Sequence, residues 1–233
     1  MTPLLKLSRV DALWGALALA AVLATAAFAR EQIARAARPA NAVGRRTINA
    51  IEPRTINDGA RIAEAGIIVG DSAAPVRVVE FLDFECRYCQ RFQRTLAELR
   101  ARHPKGVAVV YRHFPISRVG YSLPAAVAAE CAAAQGRFES FAELLFAAQD
   151  TLARVVLEAA ALQAGVSDTA RFRACRAGPA ARARVDEDIR AATRLGITAT
   201  PTVLVADQLL VGEVPLEKLE LLMRTASKER RVR

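Results

Sequence analysis

The sequence contains few histidines and cysteines, the side chains that bind zinc in structural sites. Its two histidines are His103 and His113, and of its four cysteines only Cys86 and Cys89 form a CxxC motif. A structural zinc site needs four soft ligands at characteristic spacings, which this small set does not supply. We therefore expect no bound metal ion, and we interpret the histidines as ordinary residues at a helix end and a strand end.

The middle of the chain also lacks an excess of positive charge, although the net charge of the 233 residues is +9. Residues 66–223 contain nineteen basic and eighteen acidic residues. The excess lies in residues 1–65, with nine against five, and in residues 224–233, with five against one. Nucleic-acid binding requires clustered basic residues, so this distribution argues against a nucleic-acid partner. Basic ends are more typical of segments near a membrane surface.

Charged residues are absent from residues 12–29, which read ALWGALALAAVLATAAFA. As a helix this stretch would span roughly 27 Å, which is marginal for a bilayer core. Residues 27–29 have the small-x-small form of a cleavage site. We predict that residues 1–29 are an export element, either an uncleaved N-terminal membrane anchor or a cleaved signal peptide; a buried helix of a soluble protein is the third possibility. Export would place the chain in the periplasm or at the outer face of the cytoplasmic membrane, where disulfides persist.

The segment EFLDFECRYCQRF, residues 80–92, joins a predicted strand to a predicted helix at a cysteine. The strand is the β-rich run 76–82. The helix follows because apolar side chains recur at i, i+3, i+7 and i+10, namely Cys89, Phe92, Leu96 and Leu99. Cys86 at the junction meets free N–H groups and the positive end of the helix dipole, which favour a thiolate. We therefore predict that Cys86 is a nucleophile and that Cys89 is a buried, resolving cysteine.

Closely spaced cysteines occur in metal clips, structural disulfides and reactive dithiols. The missing ligands disfavour a metal clip. A structural disulfide across so short a loop would remove little entropy from the unfolded chain. We favour a redox-active Cys86–Cys89 dithiol, which needs no other cofactor.

Glu80 is the single charge on one face of the predicted strand, whose other members are Val76, Val78 and Leu82. Burial would raise the pKa of its carboxyl and make it a proton acceptor and donor for Cys89. The alternative is a glutamate on a solvent-facing strand edge.

About eighty residues with almost no strand character separate the predicted strand VAVVYRHF, 107–114, from the segment ITATPTVLVADQLLVG, 197–212. Capping residues and glycines divide them into helices, the first of them capped by Ser122, so we predict a helical insertion. Cys131 and Cys175 lie in separate helices of this insertion. Linking them would close a loop of about 45 residues, and exported chains seldom keep such a pair free. We predict a structural disulfide, with buried free thiols as the alternative.

Three segments resemble the DsbA-like thiol:disulfide oxidoreductases of the thioredoxin superfamily. VRVVEFLDFECRYC resembles their active-site segment, whose buried acid stands six residues before the first cysteine, as Glu80 does here. ITATPTVLVADQLLVG resembles their cis-proline loop and the hairpin after it, with Thr200-Pro201 as the cis-proline pair. AAECAAAQGRFESFAELLF resembles their helical insertion, which plain thioredoxins lack. The resemblance covers residues 66–226.

This resemblance implies a thioredoxin-like α/β fold with an inserted all-helical subdomain, and the uncharged residues 12–29 predict an N-terminal hydrophobic helix before it. It also implies that Pro201 packs in the cis form against the active-site disulfide, where neighbouring backbone groups pair with a substrate strand. From the residues alone, a trans proline that opens a strand is the alternative. The chain then divides into six segments: the export element 1–29, a partly helical tether 30–65, the first part of the thioredoxin-like domain with the CxxC motif 66–117, the helical insertion 118–196, the second part with the cis-proline loop 197–226, and a basic tail 227–233.

The function implied by the resemblance is that of an exported protein disulfide oxidase. Its substrates would be unfolded or cysteine-containing exported proteins, and a membrane redox partner would reoxidise it. Arg87 departs from the proline of many members, and Tyr88 departs from the histidine of strongly oxidising ones; their effects on the redox potential oppose each other. Thr200 also occurs in isomerase-type relatives. A reductase or isomerase is therefore the alternative, and a non-catalytic holdase is a more distant one.

Overall fold

The computed structural model describes the chain over residues 52–117 and 120–232. The predicted export element, residues 1–29, lies outside the described residues, as does most of the predicted tether. Within the described part of the chain, no helix combines the length and the apolar character needed to cross a membrane.

Six strands form one mixed sheet: β1 (Arg54–Thr55), β2 (Ile67–Gly70), β3 (Val76–Leu82), β4 (Val107–His113), β5 (Thr202–Val205) and β6 (Gln208–Val211). Their spatial order is β1-β6-β5-β3-β4-β2. β3 and β4 are parallel, and the other neighbours are antiparallel. β3 lies inside the sheet because its nearly continuous apolar sequence suits a strand that is covered on both faces.

The described residues also form eight α-helices: α1 (Gly59–Glu64), α2 (Arg87–Arg102), α3 (Ser122–Ala133), α4 (Phe138–Ala147), α5 (Leu157–Gln163), α6 (Thr169–Ala177), α7 (Pro179–Arg194) and α8 (Leu216–Val232). A 3₁₀ helix, Gln149–Arg154, connects α4 to α5. α2 and α8 cover one face of the sheet, and α1 with the end of α7 covers the other. This is the predicted thioredoxin-like α/β fold with an inserted helical unit, α3 to α7.

The apolar stripe predicted on α2 is confirmed, since the buried residues of this helix are Cys89, Phe92, Leu96 and Leu99. The face of β3 that carries Glu80 turns toward this stripe. Glu80 is fully buried, and its strand lies between β4 and β5. The alternative of a glutamate on a solvent-facing edge is therefore excluded.

Regular secondary structure continues past both predicted boundaries of the thioredoxin-like domain. β1 and α1 lie within residues 52–65, the described part of the predicted tether; β1 pairs with β6, and Ile56 and Ile62 are buried against the sheet. At the other end, α8 continues to Val232, so most of the predicted basic tail is a continuation of this helix. Few apolar residues mark the first boundary, because residues 52–65 contribute only Ile56 and Ile62 to the buried core.

The inserted unit is organised around α3, a helix made largely of alanine. Its alanines are buried on several sides, and α4, α6 and α7 all pack against it. Small side chains allow this close approach, which explains why α3 lacks the one-sided apolar pattern of a surface helix. A disulfide between Cys131 on α3 and Cys175 on α6 joins two of these helices. The pairing is the one expected from the sequence.

We expect that replacing both Cys131 and Cys175 by alanine lowers the free energy of unfolding by roughly 2–4 kcal/mol, because the disulfide spans a long loop. Denaturant titration of both proteins under oxidising conditions measures this difference. The exchange activity of Cys86 should be retained at low denaturant. Equal stabilities would show that the disulfide contributes nothing to the fold.

Candidate active site

Cys86 lies where the chain leaves β3 and enters α2. Its backbone is extended (φ −88°, ψ 114°), and it holds the N-cap position of the helix. The first N–H groups of a helix have no acceptor within it. Here the N–H groups of Tyr88 and Cys89 donate to the partly exposed Cys86 sulfur.

The groups around Cys86 lower the pKa of its thiol from 9.0 to about 6. The largest cause is a hydrogen bond donated by the Cys89 thiol. The Thr200 hydroxyl and the two backbone N–H groups act in the same direction, while burial opposes them. Cys86 is therefore largely a thiolate at neutral pH, which is the reactive form of the side chain.

Cys89 is one turn further along α2 and is completely buried. Burial is the largest cause that raises the pKa of its thiol, followed by its hydrogen bond to Cys86 and by the charges of Glu80 and Cys86. The two thiols therefore differ in both access and protonation. Cys86 can attack a disulfide in solution, whereas Cys89 is shielded from it.

Glu80 has its carboxyl buried in the sheet beneath α2, and burial raises the pKa of this carboxyl from 4.5 to about 8. A hydrogen bond from Gln93 partly opposes this rise, and the charge of Cys86 adds to it. Gln93 Nε2 lies 2.9 Å from Glu80 Oε2, whereas Oε1 is buried and has no partner among the described residues. A carboxyl with this pKa can both accept and donate a proton near neutral pH.

Gln93 was not identified from the sequence. It follows Cys89 by one helical turn, so it belongs to the face of α2 that packs toward the sheet. The sequence did contain one signal, a polar residue on that face of the helix. A buried amide needs a hydrogen-bond partner, so Gln93 should bind a polar group of the sheet.

The cis-proline loop also contacts Cys86. The Thr200–Pro201 peptide bond is cis, and the Thr200 carbonyl oxygen lies 3.2 Å from Cys86 Sγ. Gly212 N–H donates to the Pro201 carbonyl at 2.7 Å, which ties the loop to the end of the β5–β6 hairpin. The Thr200 hydroxyl is buried without a hydrogen-bond partner among the described residues, and it is the side-chain donor that lowers the pKa of the neighbouring Cys86 thiol when the sulfur is charged.

A second polar cluster holds the chain just before Cys86. The Asp83 carboxylate accepts from the N–H groups of Glu85 at 2.8 Å and Ile116 at 2.9 Å. The Ser122 hydroxyl, at the start of α3, contacts the carboxylates of both Asp83 and Glu85. Ser122, predicted as a helix cap, thus connects the active-site segment to the inserted helices instead. Only the tertiary contact identifies this role.

The structure therefore brings together five of the predicted site residues, Glu80, Cys86, Cys89, Thr200 and Pro201. The sequence matches the family model described as Thioredoxin over residues 63–223. The chain belongs to the thioredoxin family. Within it, the fold is that of the DsbA-like thiol:disulfide oxidoreductases, with helices inserted between β4 and β5.

Solved structures of similar proteins extend this assignment. A thioredoxin-like oxidoreductase from Silicibacter pomeroyi DSS-3 is 29% identical, with a TM-score of 0.65 over 74% of this chain and 98% of that one. BdbD from Bacillus subtilis is 21% identical, with a TM-score of 0.62 over 76% and 98% of the chains. ScsC from Proteus mirabilis is 19% identical, with a TM-score of 0.63 over 94% and 99%. The last two similarities concern the fold.

Curated relatives include much longer proteins. Na⁺/H⁺ antiporter NhaA 3 from Salinispora tropica is 36% identical over 165 residues, which are 70% of this chain and 25% of the relative. Na⁺/H⁺ antiporter NhaA from Herminiimonas arsenicoxydans is 37% identical over 145 residues, which are 62% and 23%. The chain thus spans about a quarter of the length of these relatives.

Two ion pairs surround the cysteines of this DsbA-like site. Arg87, between the two cysteines, pairs with Asp150 of the 3₁₀ helix in the insertion. Arg91 pairs with Glu213 at 2.7 Å and lies over the ring of Tyr88, 4.7 Å from its centroid. The cationic side chains near Cys86 therefore face carboxylates, which reduces their effect on the thiolate.

We expect the alkylation rate of Cys86 in the reduced protein to rise through a pH midpoint near 6. Replacing Thr200 by valine removes a donor to the thiolate, so the midpoint should rise by roughly 0.5–1 units. Iodoacetamide labelling followed by mass spectrometry gives both values. Thr202→Val is the matched control, because the Thr202 hydroxyl donates to the Ala199 carbonyl instead. An equal shift in both variants would contradict the role of the Thr200 hydroxyl.

Proposed function

We propose that this DsbA-like protein is an exported disulfide donor, which oxidises cysteine pairs in other exported proteins. The observation that carries the proposal is the lowered pKa of an accessible Cys86 beside a buried Cys89 of raised pKa. A stabilised thiolate favours the reduced form of the dithiol over the disulfide. The oxidised protein therefore tends to pass its disulfide to a substrate.

The reaction begins when a substrate thiolate attacks Cys86 in the Cys86–Cys89 disulfide. The new bond joins the substrate sulfur to Cys86, and Cys89 leaves as a thiolate that takes a proton from the Glu80 carboxyl. A second substrate thiolate then attacks the substrate sulfur of the mixed disulfide, and Cys86 leaves as a thiolate. The substrate has lost two electrons and gained a disulfide, and the two cysteines of the protein are reduced.

The surroundings of Cys86 suit an extended, partly apolar substrate. Large apolar side chains are exposed on the CxxC turn, beside the Asp83 cluster and beyond the cis-proline loop, namely Tyr88, Ile116, Tyr121 and Val211. Unfolded proteins expose both apolar side chains and unpaired backbone groups, and they are the substrate class that we propose. A membrane redox partner that reoxidises Cys86 and Cys89 completes the proposed cycle.

Export is part of the proposal. The uncharged residues 12–29 support a membrane anchor or a cleaved signal peptide. The Cys131–Cys175 disulfide adds support, because such bonds persist in oxidising compartments.

A reductase or isomerase is the second candidate. Two observations favour it: the charge of Arg87 is paired with Asp150, and the exposed Tyr88 brings no cation to Cys86. Both features reduce the stabilisation of the thiolate by its neighbours.

The redox potential of the Cys86–Cys89 pair tests the direction. We expect a value near that of the oxidase DsbA, about −120 mV, when the purified protein is equilibrated with glutathione buffers. A value near about −270 mV would favour the reductase or isomerase. Measuring the Cys131→Ala/Cys175→Ala variant in parallel ensures that only the active-site pair titrates.

A further inference from the structure

Cys86 combines three features of a cysteine that small oxidants attack. Its sulfur is partly exposed, the pKa of its thiol is about 6, and the Cys89 thiol lies within hydrogen-bond distance of it. Cysteines that are accessible, largely ionised and next to a resolving cysteine are the ones most readily oxidised to a sulfenic acid. Disulfide exchange with another protein is therefore not the only redox reaction open to this pair.

The Thr200 hydroxyl is a buried donor next to the Cys86 sulfur. Thr200 is 7% exposed, and its hydroxyl has no hydrogen-bond partner among the described residues. The carbonyl oxygen of the same residue lies 3.2 Å from Cys86 Sγ, so Thr200 borders the sulfur directly. A buried hydroxyl without a partner is unfavourable, and an oxygen atom bound to the sulfur would supply the missing acceptor. The site thus has a donor in place for an oxygen that Cys86 acquires.

We propose that hydrogen peroxide reoxidises the reduced Cys86–Cys89 pair directly, with the Thr200 hydroxyl donating a hydrogen bond to the peroxide oxygen that Cys86 attacks. This route is additional to a membrane redox partner. The oxidation of the pair does not depend on the proposed function. The use of the resulting disulfide to oxidise other proteins rests on that function.

The first step oxidises Cys86. Its thiolate attacks one oxygen of hydrogen peroxide, so that a sulfur–oxygen bond forms and the oxygen–oxygen bond breaks. The other oxygen leaves as hydroxide and takes a proton from solvent to become water. The Cys86 sulfur has lost two electrons to the peroxide and is now a sulfenic acid. The Thr200 hydroxyl stabilises the negative charge that develops on the peroxide during this step.

The second step closes the disulfide. The Cys89 thiol gives its proton to the Glu80 carboxylate, which disulfide donation left without a proton, and the Cys89 sulfur attacks Cys86. A sulfur–sulfur bond forms, the sulfur–oxygen bond breaks, and the departing hydroxide becomes water with a proton from solvent. Over a complete cycle, one peroxide and two substrate thiols give one disulfide and two water molecules. Because Cys89 is buried beside Cys86, it can react before a second peroxide produces the irreversible sulfinic acid.

Ionisation of Cys86 by itself sets a reference for the rate. At pH 7 a thiol with a pKa of about 6 is ionised about 90-fold more often than one with a pKa of 9.0. The weaker nucleophilicity of the more acidic thiol offsets about 20-fold of this gain. Ionisation alone therefore makes Cys86 about fourfold faster than an ordinary thiol such as glutathione.

The rate of oxidation by hydrogen peroxide is the first test. The reduced protein is mixed with peroxide and quenched with an alkylating reagent, and mass spectrometry counts the remaining thiols of Cys86 and Cys89, the free cysteines of the chain. With the added hydrogen bond from Thr200, we expect a rate constant at pH 7 roughly twentyfold above that of glutathione. A rate constant fourfold above glutathione or less would overturn the proposal.

The role of Thr200 is tested at pH 9, where Cys86 is fully ionised in both wild type and Thr200→Val. We expect the variant to react with peroxide about fivefold more slowly, because it lacks the donor to the peroxide oxygen. Iodoacetamide, which needs no such donor, should modify both proteins at the same rate. Thr202→Val is the matched control, since the Thr202 hydroxyl donates to the Ala199 carbonyl. Equal peroxide rates in wild type and Thr200→Val would contradict the role of this hydroxyl.

Cys89→Ser separates the two steps. Without the resolving thiol, the Cys86 sulfenic acid should persist and form an adduct with dimedone that mass spectrometry detects, whereas wild type should pass on to the disulfide. Absence of the adduct from Cys89→Ser would overturn the sulfenic acid step. Failure of the proposed function is recognised separately, because the peroxide reaction is measured without a substrate protein and disulfide donation is measured with protein that was oxidised beforehand.

Discussion

Replacing Cys86 by serine is expected to abolish disulfide exchange and leave the fold unchanged. Cys86 is the accessible sulfur of the pair, and its thiolate is stabilised by the Cys89 thiol, by the Thr200 side chain and by N–H groups at the start of α2. A serine hydroxyl keeps the size of the side chain but is not ionised near neutral pH, so the nucleophile is lost. Oxidation of a reduced, unfolded cysteine-containing protein measures the loss, and the denaturation midpoint measures the fold.

Cys89→Ser is the informative companion of Cys86→Ser. It retains the nucleophile at position 86 and removes the buried resolving thiol. Its Cys86 thiolate can still attack a disulfide in an oxidised substrate, and without Cys89 to displace the substrate the mixed disulfide should accumulate, which mass spectrometry detects. Turnover that survives in Cys86→Ser would contradict the proposed chemistry and would favour a non-catalytic holdase.

Replacing Glu80 by glutamine is expected to stabilise the reduced protein at neutral pH and to slow its exchange reaction. The pKa of the Glu80 carboxyl is about 8 in the folded protein, against an ordinary value of 4.5 for a glutamate side chain. The folded state thus binds a proton more tightly than the unfolded chain does. The resulting stabilisation is complete below pH 4.5 and is lost as the pH rises from 4.5 through 8.

The size of the effect on stability follows from the same two pKa values of the Glu80 carboxyl. At pH 7 the buried carboxyl costs roughly 3 kcal/mol relative to pH 4.5, since each pKa unit corresponds to about 1.4 kcal/mol. Glutamine has no charge to bury, so the gain in stability should be absent below pH 4.5 and should grow toward pH 8. Denaturant titrations of the reduced wild type and variant at a series of pH values measure this difference.

The same variant should lose activity, because glutamine cannot give a proton to the departing Cys89 thiolate. General acid catalysis of this kind contributes about 100-fold or more to a rate. Glu98→Gln is a suitable control, since Glu98 is an exposed glutamate on α2, paired with Arg102. A pH-independent gain in stability would show that Glu80 is not the buried acid described here.

Local patterns in the sequence predicted much of this site. The alternation of side chains along a strand placed Glu80 on the face that is buried against α2, and helical spacing placed Cys89 on the apolar stripe of that helix. The junction between the two elements placed Cys86 at a helix N-terminus. These features depend on residues that are close in the chain, so periodicity and capping chemistry were sufficient.

Contacts between distant segments could not be predicted in this way. The partners of Arg87 and Arg91 are Asp150 and Glu213, which lie far along the chain in the insertion and after the β5–β6 hairpin. Ser122 likewise contacts the segment before Cys86 only because the insertion folds back over it. No local pattern determines such pairs, since each depends on how the helices are placed around the sheet.

The sequence by itself determined the chemistry of the two cysteines, the central strand and helix that carry them, and the helical character of the insertion. The tertiary structure decided which polar groups surround the buried carboxyl, which carboxylates face Arg87 and Arg91, and that β1 and α1 pack on the sheet. The physical reason is that secondary structure follows from the order of neighbouring residues. Burial, hydrogen bonding and charge pairing follow from the packing of segments that are far apart in the chain.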